Sequence, residues 1–127
     1  MKTEILTLCR YASDNEGHQT IVDTFDTIVA DKIPWREYFY VAAKINLIDN
    51  NPDYKKISMS IAHIGEETKE IFKATSPFAR PENTEKISIT AGFKGLIFEH
   101  EGNYSLRIHF DDTLVAELPF KVILRKQ

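Results

Sequence analysis

"TIVDTFDTIVADKIPW", Thr20 to Trp35, sets Asp23, Asp26 and Asp31 among apolar residues and beside the only tryptophan. As a helix, it would align Ile21, Val22, Phe25, Ile28 and Val29 in an apolar stripe. Asp23 and Asp26 would then share a face. As a strand, the same aspartates point to opposite faces and form no paired-carboxylate site. The decision rests on Thr20, Ile21, Val22, Thr24, Thr27, Ile28 and Val29, all β-branched. Such side chains lose rotamer freedom in a helix and fit a pleated surface. Nothing elsewhere in the chain demands a helix, and Gly17 stands where a turn from a preceding strand would want it. The stretch is therefore read as strand, with a bulge where the parity slips between Thr24 and Asp26. That reading dissolves the acidic cluster.

The flanking sequence carries the same period. Upstream, "EILTLCRYA" alternates Ile5, Thr7, Cys9 and Tyr11 against Leu6, Leu8 and Arg10. Downstream, "EYFYVAAKINLI" is an aromatic and β-branched strand. "KKISMSIAHIG" sets Ile57, Met59 and Ile61 against Ser58, Ser60 and Ala62. "TKEIFKAT" follows the turn "GEET", and "SPFARPENTEK", with Pro77 and Pro81, reads as a long connection. "KISITAGFKGLIF" is a strand in which Gly92 and Gly95 point to a bulge or bend. The clearest signal comes last. In "NYSLRIHF", Tyr104, Leu106, Ile108 and Phe110 share one parity. The turn "DDTL" leads into "VAELPFKVILRK", completing an antiparallel hairpin. Pro119 has no N–H to donate and so marks an edge position or a bulge.

About eight or nine short strands predict an all-β fold, an antiparallel β-sandwich that is immunoglobulin-like or similar, in one domain over residues 1–127. A chain of 127 residues can build one core without staples. Cys9 is the only cysteine, which rules out an intrachain disulfide and a cysteine-rich metal site and makes an apolar filler the simplest reading. The net charge of −3 supplies no electrostatic footprint for nucleic acid. Glu4 and Arg10 interrupt any leader-like apolar run, and no long apolar span suits a membrane. A cytoplasmic location is the expectation.

Several of these segments together resemble an uncharacterised bacterial family, domain of unknown function 6941. The matching positions are Leu8, Cys9, Tyr11, Ala12, Gly17, Phe25, Asp26, Ile28, Pro34, Gly102, Tyr104, Leu118 and Pro119. All of them are packing or turn positions. The resemblance implies the sandwich and a strand for the opening stretch, and it implies no activity.

Chemistry-bearing patterns are sparse. "DNNPDY", Asp49 to Tyr54, offers oxygens spaced as in a calcium loop, but Tyr54 replaces the glycine and Ser60 the closing glutamate. A hairpin turn explains the same residues. A calcium-binding end would require Asp49, Asp53, Asp111 and Asp112 to gather. His18, His63, His100 and His109 lack metal-ligand spacing. No G-x-S-x-G elbow or phosphate loop is present. No catalytic residue, metal or cofactor is assigned. "WREYFYV" is different: alternation along a half-buried strand must leave some of its aromatics exposed. Trp35, Tyr38 and Tyr40 are the candidate partner surface. Two functions follow. One is a non-enzymatic module that binds a protein or associates with itself, without nucleic acid or membrane. The other is a small-molecule, sugar or ion-binding domain, or a divergent enzyme, using the loops Asp49–Asp53, Ser76–Asn83 and Asp111–Thr113.

Overall fold

The computed structural model describes residues 2–16, 18–47, 53–79 and 85–126. Among them lie nine strands and no helix: β1 (Lys2–Asn15), β2 (His18–Phe25), β3 (Thr27–Ala30), β4 (Trp35–Asn46), β5 (Lys56–Ile64), β6 (Thr68–Pro77), β7 (Lys86–Phe98), β8 (Gly102–Phe110) and β9 (Thr113–Leu124). They form two facing sheets, β2-β1-β4-β7 and β3-β9-β8-β5-β6. Among the described residues the pairings are antiparallel, as expected of such a sandwich, except for the short parallel pair of β3 with β9.

The opening stretch explains the parallel pair. β2 ends at Phe25 in the first sheet and β3 begins at Thr27 in the second, so the chain changes sheets at Asp26. The parity slip read as a bulge is this crossing. Asp26 is used locally: its carboxylate accepts from the Thr27 hydroxyl, and its carbonyl accepts from Lys121 N–H. Asp23 sits on β2 with a positive φ of 55°. The two aspartates do not converge.

Between the sheets, alternate residues interdigitate as a half-buried strand pattern requires. Leu8 of β1, Phe39 and Val41 of β4, and Phe93 and Phe98 of β7 meet Ile61 of β5, Tyr104 and Leu106 of β8, and Phe120 and Val122 of β9. Toward the other end, Ala43, Ile45 and Leu47 pack with Ile108, Phe110 and Ala116. Phe39 stacks on Phe93 with ring centroids 4.7 Å apart.

Tyr104 closes one corner. It is 1% exposed, stacks on Phe120 and meets the edge of Phe98. Its hydroxyl donates to the His100 carbonyl in the β7–β8 connection. This is a tyrosine corner, and the order β9-β8-β5 facing β4-β7 is the G-F-C and B-E pairing of immunoglobulin-type sandwiches. Pro119 lies on a central strand, yet β3 accompanies β9 only along Lys121–Leu124, so at Pro119 that flank has no strand partner.

β1 has two partners in succession. From Lys2 to Cys9 it pairs with β4, and from Leu8 to Asn15 with β2. The distal hairpin packs against the outer face of β4 and β7. There Ala12 and Ile21 pack with Cys9, Ala42 and Tyr40. The Gln19 amide donates to the carbonyls of Ala43 and Ile89, at 3.1 and 3.3 Å. The turn at Gly17 lies outside the described residues.

Candidate functional site

β4 divides the three aromatics singled out above. Odd-numbered residues from Trp35 to Ile45 face the second sheet, and even-numbered ones face outward. Tyr38 and Tyr40 therefore share the outer face, whereas Trp35 packs against the core. Trp35 Nε1–H donates to Glu37 at 2.9 Å, and Glu37 also holds Arg10 at 2.6 Å. The Arg10 guanidinium lies 4.4 Å from the centre of the Phe25 ring. Trp35 is a structural anchor at the mouth of the sandwich, and the expectation that it belongs to one surface with the tyrosines is corrected.

Tyr11 takes its place. It meets Tyr40 edge-on with ring centroids 5.3 Å apart. Tyr38 is 60% exposed and Tyr11 47%. The outward parity of Tyr11 was legible in "LTLCRYA"; its proximity to Tyr40 was not, because it depends on β1 pairing with β4. Tyr40 lies against Gly92, where an added Cβ would come 3.0 Å from the ring. Arg36 packs in the same way over Gly95, whose φ is +94°. Arg36 and Lys94, the residue opposite Tyr38, form no ion pair among the described residues. The outer face thus combines exposed tyrosines with an arginine, residue types enriched at protein contacts, and with Lys94 beside them.

Cys9 sits beneath the distal hairpin, fully buried, and burial pushes its thiol above the ordinary value. It is a filler and not a reactive thiol. Two buried polar atoms in this region, Gln19 Oε1 and Thr90 Oγ1, have no hydrogen-bond partner among the described residues.

The loops proposed as an alternative site do approach one another. Asp111 Oδ1 accepts from the backbone N–H groups of Lys55 and Lys56, at 3.1 and 3.0 Å, and Phe78 N–H donates to the Lys55 carbonyl. Tyr54 and Phe78 both lie against Phe110. Asp53 pairs with Lys55 at 2.9 Å, which holds the ammonium above its ordinary pKa. Of the carboxylates that would gather around a cation, Asp111 is thus engaged with the backbone and Asp53 with a lysine. No group of three or more metal-ligating side chains occurs among the described residues. Asp49 to Pro52 and Arg80 to Asn83, the remainder of these loops, lie outside them.

The histidines are rearranged relative to the sequence reading. His63 and His100 stack with centroids 5.4 Å apart, and His63 also meets Tyr104 at 4.9 Å. Sequence distance hid this pair, which forms because the β7–β8 corner folds over β5. Stacked imidazoles do not aim their nitrogens at a common ligand, so the pair serves packing.

A cleft opens along the side of the sandwich where β6 and β7, the last strands of their sheets, face each other. Its volume is about 420 Å³. Met59, Phe72, Ile89, Phe93, Leu96 and Ile108 line it, with Lys94 at its rim. Nothing in the sequence pattern announces it, because strand adjacency sets which edges stay open.

Fold and site define an immunoglobulin-type β-sandwich with an aromatic outer face and an open side. The match to a family of unknown function (DUF6941) spans residues 4–123, and the chain belongs to that family. No curated protein matches it by sequence. Among solved structures it is similar to an immunoglobulin-like protein from Pseudomonas aeruginosa, with 12% identity and a TM-score of 0.48, over 91% of this chain and 90% of that one. Among the described residues no helix is long and apolar enough to cross a membrane.

Proposed function

We propose that the chain is a non-enzymatic binding module that engages a protein partner through the outer face of the β2-β1-β4-β7 sheet. One observation carries this reading: Tyr38, 60% exposed, stands on one face with Tyr11 and Tyr40, with Arg36 and Lys94 around it that form no ion pair among the described residues. Tyrosine supplies a large rigid contact at small entropic cost, and arginine adds donors in a fixed fork. The partner face is acidic and carries hydrogen-bond acceptors. The net charge of −3 favours a protein partner over nucleic acid, and a cytoplasmic site of action fits this reading.

The test compares native protein with a Tyr11→Ser/Tyr38→Ser/Arg36→Glu variant in pull-downs from the cell of origin, followed by reconstitution with the purified partner. Binding by the native protein and its loss in the variant is the expected result. Equal capture by both, or association only with itself in light scattering, overturns the assignment. A ligand site among the loops around Asp111 is the second reading, favoured by their convergence on Lys55. A thermal-shift hit abolished by Asp111→Asn but retained in the tyrosine variant would replace the first reading with it.

A further inference from the structure

We propose that the cleft between β6 and β7 accepts an extended segment of a partner protein, which adds as a strand to the free edge of β7, fills the cleft with its apolar side chains and meets Lys94 with an acidic one. This site adjoins the tyrosine face and shares Lys94 with it, but does not rest on that reading.

Length is the first argument. The cleft runs along β7 from Ile89 to Leu96. At about 3.3 Å per residue that is roughly 23 Å of strand, the span of an extended segment rather than of a compact ligand. Its volume of about 420 Å³ falls within the usual range for binding clefts. The second argument is the edge itself. β7 pairs only with β4 among the described residues, so its other flank offers backbone donors and acceptors to an added strand. Such addition draws affinity from main-chain hydrogen bonds and specificity from pockets for alternate side chains. Here those pockets are apolar, walled by Met59, Phe72, Phe93 and Ile108.

Charge is the third argument. Lys94 at the β7 rim and Lys73 on the exposed face of β6 make no ion pair among the described residues. A segment that alternates apolar residues with a carboxylate complements Lys94, whereas Lys73, of opposite parity to the cleft-lining Phe72 and Ala74, faces away from the cleft. A second copy pairing β7 against β7 does not, because it brings another Lys94 to the contact.

The experiment uses a fluorescent peptide of about seven residues, matched to that span, alternating valine or leucine with threonine and carrying a central glutamate. Anisotropy should show saturable binding to the native protein. Ala74→Phe, which narrows the mouth, should abolish it. Lys94→Glu should weaken it about tenfold, with affinity restored when the peptide glutamate becomes lysine. Ala74 and Lys94 are both exposed, and should Ala74→Phe not fold, Lys94→Glu alone decides. Tyr38→Ser should leave peptide binding unchanged, which separates this site from the outer face. Three results overturn the proposal. The first is no binding; the second is binding undiminished by both cleft variants. The third is equal binding by peptides N-methylated on alternate amides in either register, since the cleft would then take an apolar ligand and not a strand.

Discussion

Removing one oxygen from Tyr104 tests whether the corner between β7 and β8 holds the sandwich as described. Tyr104→Phe keeps the ring that stacks on Phe120 at 5.6 Å and meets Phe98 at 5.1 Å, and it deletes the hydroxyl that donates to the His100 carbonyl. A buried hydrogen bond contributes about 1 to 1.5 kcal/mol net. His100 is exposed, so water can reach the orphaned carbonyl, and the larger penalty of a sealed acceptor does not apply. The expected loss is therefore about 1 to 1.5 kcal/mol, or roughly 3 to 6 °C in Tm for a domain of this size. In urea, with a slope of about 1.5 kcal/mol per M, the midpoint should fall by roughly 0.7 to 1 M with the slope unchanged. Trp35 fluorescence reports the transition. Tyr104→Ala, which also removes the ring, should cost about 3 to 5 kcal/mol.

The same residue predicts an alkaline limb. Burial raises the Tyr104 hydroxyl above its ordinary pKa. The unfolded chain then ionises first, near pH 10, and the folded form follows at higher pH. The contribution is complete below about pH 10 and is lost as pH rises through the folded value. The stability difference between native protein and Tyr104→Phe should therefore shrink above about pH 10. A Tyr104→Phe loss under about 0.3 kcal/mol, or a difference that grows with alkalinity, would refute the corner as a stabilising bond.

Four further outcomes follow from the geometry. Cys9, fully buried with a raised pKa, should resist thiol reagents at pH 8 until the β1–β2 hairpin opens; Gln19→Ala, which frees the hairpin from Ala43 and Ile89, should speed labelling about fivefold to tenfold. Thr90→Val removes a buried hydroxyl without a partner and should be neutral or stabilising by up to about 1 kcal/mol in thermal melts, so a clear loss would show that the hydroxyl is satisfied. Gly95→Ala, at a φ of +94° and against Arg36, should cost about 1 to 2 kcal/mol. Glu37→Ala removes the acceptor of Trp35 Nε1–H and the ion-pair partner of Arg10, which keeps the Tyr38 carbonyl and the Phe25 ring, and should cost about 1 to 2 kcal/mol, with a change in tryptophan emission before unfolding.

The layers were legible because period two survives along most of the chain. Tyr104, Leu106, Ile108 and Phe110 all face inward as their alternation predicts. The register shift at Gly95 stands where the glycines of β7 pointed. What the pattern cannot encode is adjacency. Alternation says that Trp35 and Tyr38 part company, yet the cluster "WREYFYV" invites treating them as one surface. Only the pairing of β1 with β4 delivers Tyr11 to Tyr40 and Arg10 to Glu37. The irregularity near Asp26 was visible as a parity slip, but a slip reads the same whether a strand bulges or leaves its sheet. The side of the sandwich left open depends on which strands finish last in each sheet, a property of the whole topology. His63 and His100 met for a similar reason.

The two contact surfaces proposed above share one strand, β7, which ends its sheet. Phe93 and Leu96 both point inward, which a regular strand would forbid for residues three apart. The extra residue, Gly95, takes a positive φ and absorbs the change of parity. Lys94, next to inward-facing Phe93, points outward by plain alternation, at the line where the tyrosine face ends and the cleft begins. An acidic partner bound on either side would approach it. Lys94→Glu should then weaken binding at both surfaces, Tyr38→Ser only at the face and Ala74→Phe only at the cleft. A Lys94→Glu effect confined to one surface would mean that this charge belongs to a single site.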